Sequence, residues 1–231
     1  VGSPPRNDYA TRRTFQPCKH SLPDFKKAVI KMCEEYFSAE DIEEVGRSLV
    51  ELESPSFHYE FVKRVITMSM DRKGRERELV SRLLSGLYAY DRGLLSTNQI
   101  GKGFERLFEV VDDLELDIPQ ARAILTQFLA RAVVDELLPP SFLSDPLVEG
   151  MGGEVVENAI KMLSTYHGTS RVEKVWGPGD GRSVPELKQA TDQLLQEYLL
   201  SQELTEASRC VKELQCPYFH HEVVKRAVTN A

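Results

Sequence analysis

Residues 35–67 read EYFSAEDIEEVGRSLVELESPSFHYEFVKRVIT, and residues 197–229 read EYLLSQELTEASRCVKELQCPYFHHEVVKRAVT. The two stretches align without a gap at an offset of 162 residues, with 14 of 33 positions identical. Among the identities are Glu35/Glu197, Leu52/Leu214, Pro55/Pro217, Phe57/Phe219, His58/His220 and the Val-Lys-Arg at 62–64 and 224–226. Identity of that density at one offset marks an internal repeat, and a repeated unit of this length points to a modular fold.

Each copy has the period of helices rather than strands. Phe25, Val29, Met32, Cys33, Tyr36 and Phe37 recur every three or four residues and so share one helix face. Ile42, Val45, Leu49 and Leu52 make a second stripe. Pro55 stops that helix, and Phe57, Phe61, Val62, Val65, Ile66 and Met70 make a third. The pattern continues through Leu79, Leu83, Leu84 and Leu87, then Ile100, Phe104, Leu107, Phe108 and Val111, and then Ala121 to Leu138. This predicts an all-α chain of antiparallel helix pairs, each burying its face on the next.

The organisation follows from where the stripes stop. Residues 1–22 are expected to be a flexible extension, and 23–140 a first module of six helices. Residues 141–182 are expected to be a linker carrying a short helix, Val155 to Leu163, and a turn-rich stretch, Val175 to Gly181, anchored by the only tryptophan, Trp176. Residues 183–231 are expected to begin a second module and stop after about three helices, leaving the core face of the last one without a partner. The chain opens on Val1 rather than Met, as a fragment or a processed chain would.

Composition narrows the function classes. With 41% hydrophobic and 28% charged residues, the chain is ordinary for a globular protein. No run approaches the roughly 20 apolar residues of a membrane helix, and Val1 to Pro5 lacks the apolar core of an export signal. A net charge of -7 disfavours bulk binding to a phosphate backbone and suits a basic protein surface. Four cysteines are too few for a disulfide framework at this size, which fits a reducing compartment, cytoplasmic or also nuclear.

Catalytic and metal-binding patterns fail one by one. Cys210, Cys216, His220 and His221 lie close together, but their spacing matches no zinc pattern, and the sister positions are Ser48, Ser54, His58 and Tyr59. Gly150 to Gly153 and Gly177 to Gly181 lack the Lys-Ser/Thr ending of a phosphate loop and read as loops. No nucleophile elbow or HExxH helix is present. No enzyme activity, cofactor, metal or small-molecule substrate is expected. Arg72 to Arg77 is basic but broken by Gly74 and Glu76, with no aromatic neighbours in sequence. It reads as a solvated loop, leaving RNA association weak or indirect at most.

The acidic run is the remaining candidate. Glu105, Glu109, Asp112, Asp113, Glu115 and Asp117 face a single basic residue, Arg106, between positions 105 and 117. Alternation with Leu114 and Leu116 reads as a solvent-facing loop between helices. A solvated charged face and a docking patch for a basic partner both remain open there. Asp117 before Ile118-Pro119-Gln120 also fits an N-cap with a capping box for the next helix.

Several of these segments resemble the MA-3 domain family. They are the repeat motif, Asp113-Leu-Glu-Leu-Asp117-Ile-Pro119, Phe128-Leu-Ala-Arg-Ala-Val-Val-Asp135, and Lys174-Val-Trp-Gly-Pro-Gly-Asp-Gly181, which is similar to the connector of the tandem-domain members. The resemblance covers about 23–231. It implies a HEAT-like right-handed stack and binding to the initiation factor 4A DEAD-box RNA helicase, which the inhibitor members hold with its two lobes apart. It implies acidic contacts that fall on Asp71, Asp113 and Asp117. The family carries Glu where this chain has Asp71 and Asp113, so charge is kept with a shorter reach. The corresponding acids of the second module would lie beyond Ala231. The alternative within the family is a scaffold module that assembles helicase or splicing factors without inhibiting them.

Overall fold

The computed structural model describes residues 18–90, 93–177, 184–214 and 220–230, and every regular element among them is helical. Helix α1 (Leu22–Ala39) starts where the Ser21 side chain accepts the Asp24 N–H, with Pro23 in its first turn. It ends at Glu40, whose φ of 58° is left-handed and whose N–H returns to the Tyr36 carbonyl. Helix α2 (Ile42–Glu51) starts at once, because Asp41 accepts the Glu44 N–H at 3.0 Å. A 3₁₀ turn at Pro55–Phe57 leads into α3 (His58–Met70). Then follow α4 (Gly74–Ala89), α5 (Thr97–Phe108), α6 (Val111–Asp117) and α7 (Ala121–Val134). Helix α5 carries a complete capping box between Ser96 and Gln99.

The repeat reappears in three dimensions. Helices α11 (Val184–Ser201), α12 (Leu204–Glu213) and α13 (His220–Asn230) begin 162 residues after α1, α2 and α3. In both copies the first helix packs on the second and the third. The shared Glu60 and Glu222 are both buried. Lys26 reaches Glu60 at 3.2 Å, while Lys225 and Arg226 reach Glu222 at 3.5 and 3.0 Å.

The apolar stripes form the core as expected: Phe25, Val29, Phe61, Val65, Ile66, Leu83, Leu87, Ile100 and Phe104 are buried in one continuous cluster. Removing each such side chain from water contributes about 1.5–3 kcal/mol. Helix α3 is the hub, touching α1, α4, α5 and α7. Of these, α5 runs parallel to it. Gln99 Nε2 donates to the Pro55 carbonyl at 2.7 Å, Lys102 sits 4.0 Å from the Tyr59 ring, and Gly103 abuts Val62. A Cβ on Gly103 would stand 2.7 Å from Val62 Cγ1 and 3.2 Å from the Tyr59 carbonyl. Gly103→Leu is therefore expected to cost about 1–3 kcal/mol through overpacking, read as a lower urea midpoint at unchanged slope.

Segment 141–177 differs from the single short helix expected there. It holds α8 (Pro146–Gly152), α9 (Glu154–Ser164) and α10 (Gly168–Val172). Helix α8 packs on α5, and α9 and α10 pack on α7, so they extend the stack. Leu143, Val148, Val155, Val156, Ala159, Val172 and Trp176 join the same core as α1–α7. Gly150 and Gly152 are helical residues, because Asp145 caps α8 at the Leu147 N–H and Pro146 opens it. Of the second glycine stretch, residues 178–181 lie outside the described residues.

Candidate functional site: an acidic face at one end of the stack

The acidic run forms a helix, α6, rather than a loop. Val111 is buried and Leu114 and Ile118 pack partly against the core, which gives the segment an inward stripe at helical spacing. Asp112, Asp113, Leu116 and Asp117 face outward, and Leu116 is 83% exposed.

The acids divide into two sets. Arg122, in the first turn of α7, donates from Nε to both Glu115 oxygens at 3.1 and 3.2 Å, and from Nη2 to Asp112 at 2.5 Å. Those hydrogen bonds raise the Arg122 pKa and tie α6 to α7. Arg106 grips both Glu109 oxygens at 2.6 and 2.8 Å, which holds the Glu109 carboxyl below its ordinary range. Asp113 and Asp117 make no side-chain hydrogen bond or ion pair among the described residues. They stand four residues apart on α6, where like charges repel.

The expected cap at Asp117 is corrected by the geometry. Helix α7 starts at Ala121, its N-cap is Gln120, and no side chain caps it. Asp117 is instead the last residue of α6, and Ile118 beyond it is extended. An acid at a helix C-terminus lies at the unfavourable end of the backbone dipoles. Nothing in the local structure needs a carboxylate at Asp117.

Asp71 is the exposed residue that closes α3. Because α3 and α5 run parallel, their C-terminal ends share one end of the stack. That end therefore carries both Asp71 and α6. Arg72 to Arg77 is not a solvated loop: Gly74 to Arg77 is the first turn of α4, and Arg72 lies 4.3 Å from the Phe37 ring. Arg77 is partly buried, donating from Nη2 to the Met70 carbonyl at 2.9 Å and from Nε to the Ser69 carbonyl at 3.4 Å. Burial lowers the Arg77 pKa, with Asp71 acting in the opposite sense.

Two features of this region escaped sequence reading. Leu114, read with Leu116 as solvent-facing, packs partly against the core, which only the stripe of Val111, Leu114 and Ile118 would have shown. The second is a buried ionic network that joins α7 to α4. Arg131, 9% exposed, donates to Glu78 at 3.0 Å, to Asp135 at 2.8 and 2.9 Å, and to the Glu173 carbonyl at 2.7 Å. Burial raises the pKa of Glu78 and of Asp135 against the pull of Arg131. Burial also works to lower the Arg131 pKa, but the two carboxylates outweigh it and keep the guanidinium charged. Cys216 and the His221 side chain, from the rejected zinc set, lie outside the described residues.

An all-α stack with an acidic end face, built on a repeat of this spacing, defines a class. The MA3 domain model matches residues 25–139 and 187–231, and the chain belongs to the MA3 domain family. It is 43% identical over 215 residues to MA3 domain-containing translation regulatory factor 3 of Arabidopsis thaliana, covering 91% of this chain and 30% of that protein. Factor 1 of the same plant is 43% identical over 220 residues, covering 93% of this chain and 31% of the relative. Programmed cell death protein 4 of Gallus gallus is 35% identical over 213 residues, covering 88% and 44%. The chain thus spans less than half the length of the curated relatives it matches. Among the described residues no helix is long and apolar enough to cross a membrane.

Proposed function

We propose that this chain is a non-catalytic regulator of translation initiation that binds the initiation factor 4A helicase through Asp71, Asp113 and Asp117 and inhibits its unwinding. In this reading 23–140 is the first MA-3 domain, 141–182 connects it to a second that begins at 183, and the protein works in the cytoplasm and also the nucleus. One observation carries the proposal. Within a crowded acidic cluster, the neighbours Glu109, Asp112 and Glu115 are paired with Arg106 and Arg122 inside the chain, while Asp113 and Asp117 are left for an outside partner. Their mutual repulsion is relieved when a basic surface arrives, so binding and charge complementarity act together.

Occupying the acidic face with a basic surface on the helicase would hold the lobes apart and stop their closure. A duplex-unwinding assay with the helicase, ATP and rising amounts of the chain tests this. Unwinding is expected to fall in proportion to complex formed, and the inhibition to weaken between about 50 and 200 mM salt, because exposed charges are screened. Binding without inhibition, or stimulated unwinding, would favour the scaffold reading instead.

A further inference from the structure

We infer that Trp176 is a positioning residue for the turn between α3 and α4 that carries Asp71, so that the segment leading into the second repeat shapes one edge of the partner surface. The functional half of this inference rests on the reading proposed above; the structural half does not.

The turn from Asp71 to Lys73 is exposed, and no side chain caps α4 at Lys73. Its shape depends on what holds the carbonyls of Ser69 and Met70. A backbone hydrogen bond from the Arg72 N–H takes the Ser69 carbonyl at 3.1 Å, and the Arg77 guanidinium takes both. Arg77 has no carboxylate ion pair among the described residues, so it stays at the turn because these carbonyls and an aromatic cover hold it. The cover is Trp176, whose ring lies 5.7 Å from the Arg77 guanidinium carbon.

Trp176 is itself fixed. It is 6% exposed, its ring centroid is 4.5 Å from that of Phe128, and its Nε1 donates to Ser81 Oγ at 3.0 Å. Its backbone lies against the start of α4: a Cβ on Gly74 would stand 2.2 Å from the Trp176 carbonyl oxygen. Only glycine lets the strap pass this close. Strap and turn therefore meet twice, through Arg77 and through Gly74. Without the indole, Arg77 rehydrates and releases the carbonyls, and Asp71 is displayed correctly for only part of the time. Apparent affinity falls by that fraction.

Hydrogen exchange on the free chain tests the positioning, and helicase titration tests its consequence. Trp176→Leu is expected to speed exchange of the Arg72 and Arg77 amides, which are hydrogen bonded to the Ser69 and Lys73 carbonyls, about tenfold, together with those of 174–177, while α5 amides stay protected. Arg77→Lys keeps the charge and the strap packing, and is expected to loosen the turn alone. It also serves if Trp176→Leu loses its helical signal. Faster exchange confined to 174–177 in Trp176→Leu, or an unchanged turn in Arg77→Lys, overturns the inference. With the helicase, Trp176→Leu is expected to weaken binding about threefold to fivefold, and to add nothing once Asp71→Ala is present. If the turn loosens but Asp71→Ala leaves helicase binding untouched, the positioning stands and the partner reading of Asp71 is what fails.

Discussion

Replacing Asp113 and Asp117 together by alanine is expected to weaken the proposed helicase binding more than tenfold while the helical circular dichroism and melting midpoint hold or rise slightly. Tenfold is about 1.4 kcal/mol, well within what two charge pairs at an interface can supply when one side is removed. The stability half of this expectation comes from the geometry. Neither carboxylate is hydrogen bonded among the described residues, they repel each other across one turn, and Asp117 sits at the wrong end of α6 for the helix dipoles. Asp112→Ala or Glu115→Ala should behave in the opposite way, loosening α6 from α7 by removing a partner of Arg122. Titration calorimetry alongside a thermal melt separates the two. A double variant that binds normally, or that melts much earlier than the parent, refutes the assignment.

The largest stability effect is expected at Arg131. Its guanidinium is buried between Glu78 and Asp135, and methionine in its place would leave two carboxylates in an apolar setting without their cation. Breaking a buried pair from one side typically costs about 3–5 kcal/mol. The pH dependence has a definite sign. Both carboxyls already titrate above their ordinary values of 4.5 and 3.8 in the folded chain, because burial favours the neutral form. A folded pKa raised above the unfolded one gives stability that is present at acid pH and lost as pH rises through the folded pKa. Without Arg131 the rise is greater. The deficit of Arg131→Met relative to the parent should therefore shrink between pH 7 and pH 5. Urea midpoints at the two pH values measure it, and a deficit that grows on acidification contradicts this account.

These two sites also show what the sequence could and could not reveal. Stripes such as Phe25, Val29, Met32, Tyr36 and Phe61, Val65, Ile66 were readable because local period alone decides which face is buried. The repeat identity at Glu60/Glu222 was visible too, but not that both carboxylates are buried, since identity does not report environment. Helix α6 was missed because its inward stripe has only three members within a run of acids. Asp117 followed by Pro119 and Gln120 mimics a capping box, yet the chain at Ile118 is extended and the next helix starts later. Helices α8 and α10 are too short to show a period. Arg131 pairs with Glu78 53 residues away, a contact no local pattern encodes. At the face itself, charge was legible, but which acids are spent internally depended on Arg122 lying across α6.

The two copies of the repeat are unequally covered. Val62 and Ile66 of α3 are fully buried beneath the helices that follow them, whereas their counterparts Val224 and Val228 of α13 are 64% and 77% exposed. Leu187, Leu194, Leu195 and Leu214 form a cluster of their own, separate from the one that unites α1 to α10. With two separate apolar clusters of such different extent among the described residues, the chain is not expected to melt as one cooperative block. Heating should release α11–α13 first, and a calorimetric enthalpy larger than the van't Hoff value would record it. Stability differences among variants of the acidic face then belong to the later transition alone.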